Sequence, residues 1–176
     1  GKCALGTGNV ILGGGACGCD NIAIGLSALS VLTQGTNNVA IGSTAADAIT
    51  TGACNVAIGQ AAMDALTSGN DNIAIGTNAL HQSTTGAANI AIGEGAASGY
   101  DVTANYGIFI GKCAGKGQTS GGDNIAIGRA TMMSNTLDGD HNIAIGVGAG
   151  YGMDSGNNNI LIGVNAGYDA TSAHNA

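Results

Sequence analysis

Asn72-Ile73-Ala74-Ile75-Gly76 decides the fold, because the chain keeps returning to it. The same five residues stand at Asn21–Gly25, Asn89–Gly93, Asn124–Gly128 and Asn142–Gly146. Val replaces the first Ile at Asn38–Gly42 and Asn55–Gly59, Leu replaces Ala at Asn159–Gly163, and Asn9–Gly13 reads Asn-Val-Ile-Leu-Gly. Worn copies occupy Lys2–Gly6 and Gly107–Gly111. From Gly25 onward the closing glycines are separated by 17, 17, 17, 17, 18, 17, 18 and 17 residues. A fixed period of this size marks a solenoid, in which each repeat rests on its neighbours.

Inside the unit, large and small apolar residues alternate with the two-residue period of a strand. The recurrent Gly predicts a turn conformation that other residues resist. The chain is therefore expected to be all-β, a parallel β-solenoid (β-roll or β-helix) with 17-residue coils. Stacked at about 4.8 Å per strand, about ten coils would make a rod on the order of 50 Å long. The second half of each unit is looser. Ala61–Leu66 is compatible with a short helical turn, whereas Ala114-Gly115-Lys116-Gly117 is too glycine-rich for helix. This leg is expected to be a second short strand or an irregular arm with occasional helical turns. The extra residue of each 18-residue step is expected just before the motif, at Tyr106 and His141. The whole chain, 1–176, reads as one array, irregular over 1–20 and regular over 21–176; whether Asn9–Gly13 forms a second leg of one turn is left open.

Counting the Asn as position 1, the aliphatic residues at positions 2 and 4 are expected to fill the core. Asn21, Asn38, Asn55, Asn72, Asn89, Asn124, Asn142 and Asn159 would then stack as an amide ladder along the rod. Position 3 holds Ala23, Ala40, Ala57, Ala74, Ala91, Phe109, Ala126, Ala144 and Leu161. Ala is a poor strand former and an unusual outward residue. This row is therefore expected to pack closely against another leg or, most simply, against the same row of identical chains.

Composition excludes several classes. Hydrophobic residues make up 44% and charged residues 9%, which argues against disorder. Four basic against eleven acidic residues, net −7, leave no patch for nucleic acid. No apolar run is long enough to span a membrane. Neither end carries an atypical capping repeat, so a section of a longer fibre, or a subunit that stacks end to end, is expected.

The unit Asn72–Leu80 followed by Thr84-Thr85-Gly86 resembles the tandem repeats of bacteriophage tail fibres and other long surface fibres. It is also similar to the shorter Ser/Asn-Val-Ala-Ile-Gly repeats in the heads of trimeric autotransporter adhesins. Those heads are left-handed parallel β-rolls assembled as trimers. The resemblance covers the chain from Asn21 onward and implies a structural protein at the cell exterior or the virion surface, a stiff shaft that reaches or displays a receptor-binding surface. It implies identical chains as partners, in a homotrimer or a head-to-tail filament, and a cell-surface or glycan receptor. It transfers no catalytic residue. The repeat here is longer than in the adhesin heads, so the coil must be wider.

No enzyme chemistry is expected. His81, His141 and His174 fall at different repeat positions. The acidic residues near the turn, Asp20, Asp71, Asp123 and Asp140, bring at most one carboxylate per coil. Calcium wants six to eight oxygens, so a turn-capping role is expected and no cofactor or metal. Cys3, Cys17, Cys19, Cys54 and Cys113 match no zinc spacing and read as small buried apolar residues or as an N-terminal disulfide. Two alternatives remain: a polymeric extracellular filament without a dedicated ligand, and an ice-binding or ligand-binding solenoid using the Thr rows. Thr50-Thr51 and Thr84-Thr85 sit in Gly-flanked turns and lack the Thr-x-Thr strand pattern. The same Thr/Ser turns would suit O-linked sugars.

Overall fold

A computed structural model describes residues 10–13, 18–99, 103–134 and 138–169. The worn copy Lys2–Gly6, together with Cys3, Cys17 and His174, lies outside the described residues. The strands are β1 (Val10–Gly13), β2 (Asn21–Ile24), β3 (Val39–Ile41), β4 (Val56–Ile58), β5 (Ile73–Ile75), β6 (Ile90–Ile92), β7 (Ile108–Ile110), β8 (Ile125–Ile127), β9 (Ile143–Ile145) and β10 (Ile160–Ile162). They form one ten-stranded sheet in sequence order. From β2 to β10 all pairings are parallel, one strand per coil, and the chain is a β-solenoid. Val10–Gly13 pairs antiparallel with β2, so it is a hairpin partner of the first coil and not the second leg of a turn.

Register is strict. Ala40 stands on Ala57, Ala57 on Ala74, and Ala91 on Phe109 across an 18-residue step. Tyr106 and His141 take the left-handed conformation that Asp71 and Asp123 take in ordinary coils. The Tyr106 N–H donates to Ala87 O as the Asp71 N–H donates to Ala53 O. The extra residue is thus accommodated earlier in the turn, not beside the motif.

The closing glycines are conformationally required. At Gly59 φ is +133°, and a Cβ there would lie 2.6 Å from the Gly76 carbonyl carbon in the next coil. Among the described residues there is no helix, and the second leg is a chain of turns. Left-handed residues recur at alternate positions, as at Ser27 and Leu29, Ala61 and Met63, and Asn78, Leu80 and Gln82. Their N–H groups bond to neighbouring coils in opposite directions: Thr44 N to Leu26 O in the coil before, and Ala46 N to Ala62 O in the coil after. The arm is therefore hydrogen-bonded between coils without being a strand.

The core is the reverse of the expected one. Ala40, Ala57, Ala74, Ala91, Ala126 and Ala144 at position 3 are fully buried, and Ala23, Phe109 and Leu161 nearly so. They face Ala45, Ala62 and Ala79 and the larger Leu29, Met63, Leu66, Leu80 and Met132 from the second leg. Positions 2 and 4 point outward. The coil is too thin to hold two aliphatic columns on the strand side, because the second leg already supplies the bulky inward residues.

Candidate functional site

Three longitudinal features run along the solenoid: an internal asparagine column, a turn with a hydroxyl row and scattered Asn and Asp acceptors, and the outer face of the sheet.

Each column asparagine is buried. Asn55 Nδ2 donates to Asn38 Oδ1 and to Gly69 O, which closes its own coil. Its Oδ1 accepts from both the N–H and the Nδ2 of Asn72. All four polar valences of the amide are used. The pattern runs through Asn21, Asn38, Asn55, Asn72 and Asn89, and again through Asn124, Asn142 and Asn159. It breaks at Gly107, whose N–H donates to Asn89 Oδ1 but which has no amide to pass on.

Gly107 is glycine for a reason of volume. A Cβ there would strike the Phe109 ring, and so would a Cβ at Gly115. The residues equivalent to Phe109 and Gly115 are Ala126 with Met132 in the next coil and Ala74 with Leu80 two coils before, while the coil between has the small pair Ala91 and Ala97. The large side chain has crossed from one wall to the other, and Gly107 and Gly115 make room for it.

The turn carries a set of Asn and Asp side-chain acceptors, each tied to the backbone of the coil before, that the repeat pattern did not reveal. Asn70 Oδ1 accepts from Ala53 N, Asn105 Oδ1 from Ala87 N, Asp140 Oδ1 from Gly122 N and Asn157 Oδ1 from Asp140 N. The signal was weak because Ala and Gly occupy the position in other coils. Asp20, Asp71 and Asp123 instead hold left-handed φ, which Asp and Asn tolerate best. The Thr rows serve the fold: Thr33, Thr50 and Thr67 donate their hydroxyls to the carbonyls of Thr50, Thr67 and Thr84.

On the second leg, Asp47, Asp64 and His81 follow one another at one repeat position in successive coils. His81 Nδ1 lies 2.6 Å from Asp64 Oδ1. Burial, and then the charge of Asp64, push the Asp47 carboxyl above its ordinary range. An open groove of about 540 Å³ begins at His81 and is lined further by Glu94, Ser98, Cys113, Lys116 and Ser134 among others. Lys112 bonds Glu94 at 2.9 Å on the surface, and this bond and the Glu94 charge raise the lysine pKa. Among the described residues no group of three acidic, His or Cys side chains is placed to hold a metal, and no helix is long and apolar enough to cross a membrane. Cys19 and Cys54 are exposed and Cys113 is partly buried, and all three are free thiols.

The outer sheet face is built from positions 2 and 4 of nine strands, and every one of these residues is Ile or Val. Ile24 is 37% exposed, Ile145 38% and Ile160 60%. The face carries no charge. Asp20, Asp71 and Asp123 precede its strands, and Glu94, Lys112 and Arg129 follow them. Sequence reasoning assigned this face to the core and the Ala row to contacts with another leg or, most simply, with identical chains. Burial assigns the Ala row to the chain's own interior, out of another chain's reach.

No protein-family model, curated protein or solved structure matches the chain.

Proposed function

We propose that the chain is a structural shaft, a segment of an extracellular or virion-surface fibre that sets the distance between a surface and its receptor. The observation that carries this reading is the unbroken register of nine parallel strands, β2 to β10, backed by the amide column on both sides of Gly107. Stacked coils joined in this way resist bending and shear, because a slip breaks backbone bonds and, outside the Gly107 coil, side-chain bonds in the same coil. The resemblance to tail-fibre and adhesin repeats points the same way. Function then lies in length and stiffness, with receptor contact made by exposed turns.

Deletion of whole coils tests this. Removing residues 39–72 takes out two coils and should shorten the rod by about 10 Å in small-angle scattering, with its circular dichroism unchanged. Attachment of the particle or cell that carries the chain should fall. A shortened chain that folds and attaches as well as the full one refutes the shaft.

A further inference from the structure

We propose that the Ile/Val face is covered by identical copies of this chain, set parallel, with their sheets facing a common axis along the rod. The inference rests on burial and not on the shaft reading, and either can fail without the other.

Parallel sheets are ordinarily covered on both faces. Here the inner face meets the second leg, while the outer face presents two columns such as Val39–Val56–Ile73 and Ile41–Ile58–Ile75 to solvent. A contiguous apolar strip of this length marks a contact surface. Nine strands at about 4.8 Å give a strip about 40 Å long, and two aliphatic columns with their flanks make it about 15 Å wide. That is about 600 Å² per copy, which brings a pair to the lower bound of standard stable interfaces, about 1,200 Å² in total.

The repeat itself selects the occupant. A covering surface must offer apolar side chains at the pitch of one coil along the whole strip. Another copy of this face has that pitch by construction, so its columns interdigitate from end to end. The flanks select the orientation. With the rods parallel about an axis along their length, the rim before the strands of one copy meets the rim after the strands of the next. Asp123 then comes to the level of Arg129, and both are exposed. With the rods antiparallel, like rims meet.

Light scattering on the purified chain, with sedimentation over a range of concentrations, is the test. A mass at a whole multiple, above one, of 16.8 kDa is expected. The double variant Val56→Lys with Ile90→Lys should fall to the monomer mass with unchanged circular dichroism. If it does not fold, Val56→Thr with Ile90→Thr keeps strand propensity and should also dissociate. A wild-type chain that stays monomeric at tens of micromolar, or a folded face variant that keeps the parent mass, overturns the proposal. For orientation, Asp123→Lys should weaken association and Arg129→Asp in the same chain should restore it. Association that Asp123→Lys weakens and the second change fails to restore rejects the parallel arrangement.

Discussion

Phe109 and Gly115 offer the sharpest test of how the interior is filled. Phe109 is 1% exposed, in a column that is otherwise Ala and Leu161. Replacing it with Ala should cost about 3–5 kcal/mol, the usual range for a buried Phe with its cavity. Replacing Gly115 with Met alone should cost at least about 2 kcal/mol, because its Cβ falls inside the Phe109 ring. Left-handed φ at Gly115, +63°, adds only what Met63 and Met132 already bear at +54° and +49°. The double variant recreates the Ala126 and Met132 arrangement of the next coil. It should therefore recover about 3 kcal/mol relative to the sum of the single losses, near the upper limit for touching residues. Urea unfolding of the four proteins measures this. In that background Gly107→Asn should stabilise further by completing the amide column, whereas alone it should destabilise, since its Cβ meets the same ring. Additive single effects, with no recovery in the double variant, would refute the exchange of volume between the two walls.

Asn72→Ala should cost about 2–4 kcal/mol, because amides in the coils above and below both lose partners inside the core, and Asn72→Asp should cost more by burying a charge in the column; chemical denaturation checks both. Gln118 is fully buried, and its Oε1 has no partner although its Nε2 donates to Gly121 O. Leu32, Ile49, Leu66 and Met153 hold the same position in other coils, so Gln118→Met should raise stability by about 1 kcal/mol in the same measurement. Asp47 holds its proton more tightly when folded, because it is partly buried and stands beside the Asp64 carboxylate. The stability it contributes is complete below the ordinary carboxylate value near 4 and is lost as pH rises through the raised folded value. Asp47→Asn should therefore raise the melting temperature at pH 7 and flatten its decline with rising pH in the range just above 4.

The period, the strand and the amide column were legible because each rests on residues that recur at one position: Asn at 1, alternation at 2 to 4, Gly at 5. The direction of the alternation was not. Large aliphatics look like core and Ala looks like surface only if the opposite wall is ignored. Leu29, Met63, Leu80 and Met132 form that wall, and with them in place the strand side has room for Ala alone. Phe109 carried the clue, since the only large aromatic at position 3 appears in the same coil as Gly107 and Gly115. The arm is irregular, as one of the two readings had it, but its expected helical turns are absent for a different reason. Helical turns fit the composition of Ala61–Leu66, but the backbone alternates handedness, with Ala61 and Met63 at positive φ. Gly115 and Gly117, or Gly148, Gly150 and Gly152, mark the same alternate positions in later coils, where no penalty is incurred.

This distribution couples stability to association. An interior column of Ala buries little apolar area, and among the described residues two dozen non-glycine residues at positive φ each oppose folding by about 1 kcal/mol. Backbone ladders and the amide column offset part of this. The largest unspent apolar surface is the outer face, where half-exposed Ile and Val regain their transfer free energy only when covered. A partner that binds the folded chain and not the unfolded one adds stability that grows with concentration. The unfolding midpoint should therefore rise steadily as the chain is concentrated from about 1 to about 100 µM, and the rise should vanish in Val56→Lys with Ile90→Lys. A midpoint that ignores concentration in the parent chain would mean that thin coils and hydrogen-bonded columns hold the fold unaided, and that the face is left bare.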